Sequence, residues 1–101
     1  MAQFDVYINI NSKSNKSIPY LLDIQHDILK NISTRIVVPL IIDMKPAKYL
    51  NPQFNIENIK VTMSTAELAS ISKSNIGSKV CSLEEYRSEI INAIDFIVIG
   101  Y

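Results

Sequence analysis

Residues 82–101, SLEEYRSEIINAIDFIVIGY, decide how the chain is read. Ser82 followed three positions later by Glu85 is the capping-box pattern, in which each side chain takes an orphan backbone N–H, so a helix is predicted to open here. Leu83, Tyr86, Ile90, Ile94 and Ile97 recur at steps of three and four, with Arg87, Ser88, Glu89 and Asn92 mostly elsewhere. That spacing predicts one buried stripe, complete by Ile97. Phe96, Ile97, Val98 and Ile99 are then consecutive, and neighbouring helical positions point about 100° apart, so one core cannot cover them all. A second apolar surface is expected at this end, followed by a helix stop at Gly100 and by Tyr101.

Upstream the period changes from helical to alternating. Phe4, Val6, Ile8 and Ile10 alternate with Gln3, Asp5, Tyr7 and Asn9, which predicts a half-buried strand with the apolar set inward. Residues 11–17 are only Asn, Ser and Lys, a composition that competes for backbone bonds and predicts a flexible, exposed hairpin loop. Residues 19–28 read as a second strand, Tyr20, Leu22 and Ile24 on one face and Leu21, Asp23 and Gln25 on the other. Residues 35–42 are nearly all apolar, as expected of a central strand covered on both sides, with Pro39 marking a bulge or a locally unpaired edge. Residues 43–53 hold Pro46 and Pro52 and read as a loop. Residues 54–56 and 59–63 form a hairpin around Glu57-Asn58, with Ile59, Val61 and Met63 facing the core. Residues 65–81 read as a turn followed by short strands. The predicted architecture is mainly β (α+β): an antiparallel, partly open barrel with one C-terminal helix packed on it, in one domain spanning residues 1–101.

Composition narrows the function. Ten basic residues balance ten acidic ones, so there is no global field to gather nucleic acid or anionic lipid. The N-terminus does not read as a secretion signal, and no apolar run approaches the roughly 18 residues of a membrane span. With Cys81 as the lone cysteine, a reducing, cytoplasmic setting is expected. His26 reads as a surface or hydrogen-bonding residue and Cys81 as a packing one. There is no metal-ligand cluster, no phosphate-cradling glycine loop and no nucleophile motif. The chain reads as a binding protein rather than an enzyme, without cofactor or metal.

Several blocks in order give a resemblance. Gln3-Phe4-Asp5-Val6-Tyr7, Leu22-Asp23-Ile24-Gln25-His26-Asp27, Arg35-Ile36-Val37-Val38-Pro39-Leu40 and Asn92-Ala93-Ile94-Asp95 look like the CcdB toxins of bacterial toxin–antitoxin pairs. Met63-Ser64-Thr65 with Leu68-Ala69-Ser70-Ile71 fits more loosely, because the family has a proline where Ser72 stands. The resemblance implies an SH3-like barrel with a C-terminal helix, a homodimer, and a role in plasmid maintenance. It implies a poison that binds the DNA gyrase A subunit, traps the cleaved gyrase–DNA complex, and is neutralised by a CcdA-like antitoxin with a disordered tail. Carried over residue by residue, the gyrase contacts would be Asp95, Ile99, Gly100 and Tyr101, with Ile28 and Leu29 beside them. The family ends in tryptophan, glycine and isoleucine, and its tryptophan stacks on a gyrase arginine; here Ile99, Gly100 and Tyr101 stand instead.

Ile97, Val98 and Ile99, which one helix face cannot bury, are the expected dimer interface. The polar loops, through Asn11, Ser12, Lys13, Asp43 and Lys45, are expected to help dock the antitoxin. Two alternatives stand beside this reading: an endoribonuclease toxin of the same fold, or a CcdB-like interaction domain that no longer poisons gyrase.

Overall fold

The computed structural model describes residues 1–29 and 31–100. Its strands are β1 (Asp5–Asn9), β2 (Tyr20–Asp23), β3 (Thr34–Ile41), β4 (Gln53–Ile56), β5 (Ile59–Met63), β6 (Ala69–Ser72) and β7 (Ile76–Ser82), followed by one α-helix, α1 (Arg87–Ile99). They form an antiparallel, curled half-barrel in the order β4-β5-β3-β2-β1-β7, with β6 also paired to β3. The predicted mainly β barrel with one C-terminal helix is therefore the observed architecture. No helix among the described residues is long and apolar enough to cross a membrane.

β3 organises the sheet. One of its edges takes β2, while the other is divided between β6 at Thr34–Val37 and β5 at Leu40–Ile41. The division falls at Pro39, which has no N–H to give a ladder; its carbonyl instead accepts the Ser64 N–H at 2.9 Å. The β4–β5 hairpin turns at Glu57 and Asn58, both at positive φ (50° and 66°), the pairing that a tight two-residue hairpin requires. Val61 and Met63 are fully buried, and Ile59 packs against the same core. That core is built from Phe4, Val6, Tyr20, Leu22, Val38 and Leu40, closed by Leu83, Ile90 and Ala93 from the helical segment.

Four expectations need correction. In β1, Ile8 and Ile10 are exposed while Asp5, Tyr7 and Asn9 are buried. β1 pairs evenly with β2, and its two register shifts against β7 place the extra residues on β7; the curled sheet covers the second face of β1 as well, so Asp5, Tyr7 and Asn9 are buried there. A Cβ on Gly77 would lie 2.8 Å from Ile10 Cγ2 and from the Ile8 carbonyl, so β7 passes β1 too closely here for a side chain.

The second strand is shorter than residues 19–28. It ends at Asp23, and Asp27–Leu29 is a 3-10 turn. Asp23 and Gln25, placed by their alternation on the second face, are buried there because Arg35 of β3 meets them.

Ser82 is no helix cap. It is the last residue of β7, paired to Asp5, its Oγ accepts the Glu84 N–H at 3.2 Å, and the Leu83 N–H donates to the Phe4 carbonyl at 2.8 Å. β1 holds this backbone as strand, so a 3-10 turn at Glu84–Tyr86 intervenes and α1 starts only at Arg87.

The buried stripe is consequently Leu83, Ile90 and Ala93, with Ile91 and Ile94 partly covered; Tyr86 and Ile97 are exposed. Tyr86, which precedes the helix, lays its ring 5.3 Å from that of Phe54.

Candidate functional site

The end of α1 carries more apolar surface than the core can use. Ile97 is 37% exposed, Val98 71% and Ile99 55%, because three successive helical positions sweep about 200° round the axis, more than one packed face can cover. Gly100 stops the helix in the left-handed region at φ +83°, its N–H donating to the Phe96 carbonyl at 2.9 Å; a residue with a Cβ is disfavoured in that conformation.

Phe96 points to a loop rather than to the sheet. Its ring centroid lies 6.5 Å from that of Tyr49, which stands 69% exposed on a left-handed backbone at φ +67°. Tyr49, Asn92, Asp95, Phe96, Ile99 and Gly100 line a groove of about 640 Å³. A second groove of about 590 Å³ shares Tyr49 and Asn92 and runs on between loop residues 46–53 and Glu89.

The loop that presents Tyr49 is tied down. Asn51 is buried; its Oδ1 accepts the Ala47 N–H at 2.9 Å and its Nδ2 donates to the Met63 carbonyl at 3.0 Å. The Thr65 hydroxyl donates to the Leu50 carbonyl, and the Thr62 hydroxyl to that of Met44. Lys48 Nζ lies 5.0 Å from the Tyr49 ring centroid, within the range of a cation–π contact.

Asp95, Ile99 and Gly100 are thus brought together as expected of them, while Tyr101 lies outside the described residues. Ile28 and Leu29 sit on the 3-10 turn after β2, not at a strand end, and both are exposed; they do not line the groove that holds Asp95. Tyr49, Phe96 and Asn92 were missed. A tyrosine between Pro46 and Pro52, in a loop too short and too broken by proline to build a core of its own, was the available signal.

The loop at residues 11–17 is folded on itself. Asn9 Nδ2 donates to Ser14 Oγ at 3.0 Å and to the Ile18 carbonyl at 2.9 Å, and Asn9 Oδ1 accepts the Asn11 N–H at 3.1 Å. Asn11 and Ser12 line a groove of about 520 Å³ floored by Leu21, Pro39 and Ile71. Leu21 and Pro39 alternate with core-facing Leu22 and Val38, so this groove opens on the opposite sheet face. Lys13, Asp43 and Lys45 are exposed.

His26 Nδ1 accepts the Ile28 N–H at 3.1 Å. Burial pushes the Cys81 thiol up, with the charges of Glu57 and Asp5 adding to it, so the thiol stays protonated. Among the described residues no His, Cys, Asp or Glu cluster could hold a metal ion. What the helix end offers is shape and apolar area beside one carboxylate, the makings of a protein contact.

Two comparisons bear on this surface. A sequence model of the family described as CcdB protein matches residues 3–100. A solved structure titled "Endoribonuclease in complex with its cognate antitoxin from Mycobacterial species" is similar at a TM-score of 0.78 and 8% identity, covering 100% of this chain and 98% of that one. At that identity the likeness is one of fold.

Proposed function

This chain belongs to the CcdB family, and from that premise we propose that it is the toxin of a toxin–antitoxin pair whose target is the DNA gyrase A subunit. The observation that carries the reading is the bare helix end: Val98 and Ile99 are more than half exposed beside a groove that ends at Asp95 and Gly100. Such a surface is suited to binding a protein partner.

A binding protein poisons an enzyme by preferring one of its states. If the helix end fits cleaved gyrase–DNA better than the resealed form, occupancy shifts the equilibrium toward the break by its differential affinity alone. Asp95, Ile99, Gly100 and Tyr101 form the gyrase contact, with Ile28 and Leu29 as a second patch. Tyr49 supplies, from the loop, the aromatic ring that the family carries on its tryptophan. A second copy packs against Ile97, Val98 and Ile99, making a homodimer whose two-fold axis sets the two helix ends side by side for the same partner. The antitoxin docks along the loops of Asn11, Ser12, Lys13, Asp43 and Lys45.

Purified gyrase A and B subunits with supercoiled plasmid test this. Adding the protein should convert plasmid to linear DNA once the gyrase is denatured and digested. Intact plasmid at saturating protein overturns the gyrase reading, and cleavage of a single-stranded RNA by the protein alone would establish the endoribonuclease instead.

A further inference from the structure

The turn at Asp27–Leu29 buries none of its residues. Ile28 is 80% exposed, and Leu29 and Ile32 are about half exposed, so an apolar cluster stands in water on a segment with no core contact of its own to order it. Fixing a backbone residue costs about 1–2 kcal/mol, and here hydrogen bonds meet that cost.

Two lie within the turn, where His26 Nδ1 accepts the Ile28 N–H at 3.1 Å and the His26 carbonyl the Leu29 N–H at 3.0 Å; those that tie it to the sheet converge on Gln25, which is 2% exposed. Its side-chain Nε2 donates to the Leu29 carbonyl at 2.9 Å, closing the turn from beneath, and its Oε1 accepts the Ile36 N–H of β3 at 3.0 Å. Its own N–H donates to Asp23 Oδ1 at 2.9 Å, and its carbonyl accepts Arg35 Nη2 at 3.4 Å. Every polar group of the residue is engaged: one bond reaches the turn at Leu29, and the other three anchor Gln25 to the β2–β3 pair. From outside, the Gln3 N–H donates to Asp27 Oδ1 at 2.7 Å, and Gln3 Nε2 to the Ile24 carbonyl at 3.1 Å.

We propose that Gln25 is a positioning residue for partner binding: it holds the 27–29 turn in the one conformation that presents Ile28 and Leu29 to gyrase. This rests on the gyrase reading above and adds to it a residue that never touches the partner. A buried glutamine with four satisfied partners holds one rotamer, and a patch held in its bound shape loses less entropy on association. Leucine at this position would keep the volume and lose both side-chain bonds. Glutamate would keep the acceptor for Ile36 and lose the donor to Leu29.

The test is a double-mutant cycle on affinity for the gyrase A subunit, with thermal midpoint and amide exchange at Ile28 and Leu29 followed alongside. Gln25→Glu should speed that exchange and weaken binding about tenfold, whereas in an Ile28→Ala/Leu29→Ala background the same change should alter affinity less than about twofold. Equal losses in both backgrounds would mean that Gln25 acts only through general stability, and unchanged affinity would mean that it does not act at all; either outcome overturns the proposal. Asp27→Ala releases the turn from its exposed side without touching the buried cluster, and should show the same coupling if Gln25→Glu does not fold. Wild-type protein that fails to bind gyrase removes the gyrase reading itself, whereas wild-type binding without coupling removes this inference alone.

Discussion

Arg35 Nη2 stands 2.6 Å from Asp23 Oδ2, with both side chains at 0% exposure. The Arg35 Nε also donates to Asp23 Oδ2, at 2.9 Å, so the strand pair β2–β3 is joined by an ion pair as well as by its ladder. Removal from water pushes the Asp23 carboxyl above its ordinary range, against the pull of the Gln25 N–H and the Arg35 guanidinium. Such a pair is worth little over an apolar replacement, but cutting one partner strands a buried charge.

Asp23→Asn should therefore destabilise the fold by about 3–5 kcal/mol. Among the described residues Arg35 Nη1 has no hydrogen-bond partner, and the other acceptor of the guanidinium is the uncharged Gln25 carbonyl, 3.4 Å from Nη2, so no second carboxylate balances its charge. Urea unfolding followed by circular dichroism measures the loss, and a change under about 1 kcal/mol would show the charge is solvated.

Tyr7 contributes to a loss of stability at alkaline pH. Its hydroxyl donates to Asp5 Oδ2 at 3.2 Å, and burial first, then the Asp5 charge, raises its pKa from 10.0 to about 12. The folded state thus keeps a proton that the unfolded state releases, and stability present below pH 10 falls as pH rises toward 12. Two pH units correspond to about 2–3 kcal/mol. Tyr7→Phe should show a shallower decline over that window in urea titrations; parallel curves for the two proteins would refute this.

Val98→Asp should leave the monomer folded, since the side chain is 71% exposed, and should abolish self-association if the helix end is the two-fold interface. A charge in an apolar contact has no partner and costs several kcal/mol. Sedimentation velocity at micromolar concentration reads the result, and a variant that remains dimeric moves the interface elsewhere.

Tyr49→Ala should weaken gyrase binding by about thirtyfold, the loss of one aromatic anchor worth about 2 kcal/mol. The thermal midpoint should hold, because the ring is 69% exposed and touches the fold at Phe96. Tyr49→Phe should keep most of the affinity in a calorimetric titration, and full binding by the alanine variant would leave Ile99 as the anchor.

Much of this protein was written locally. The alternation around Phe4 and Val6, the apolar run of β3, the turn at Glu57-Asn58 and the crowded apolar tail of α1 are short-range patterns, and they determined the class of fold and a surplus of apolar surface at the helix end. Tertiary structure alone decided the rest, because it turns on which strand lies beside which. Asp23 and Gln25 are buried because Arg35, twelve residues after Asp23, arrives across the sheet; Ser82 stays in a strand because β1 claims its backbone; and Tyr49 reaches Phe96 because Asn51 and Thr65 fold its loop back. Local propensities are worth tenths of a kcal/mol per residue, and a long-range ion pair or an occupied strand edge outweighs them.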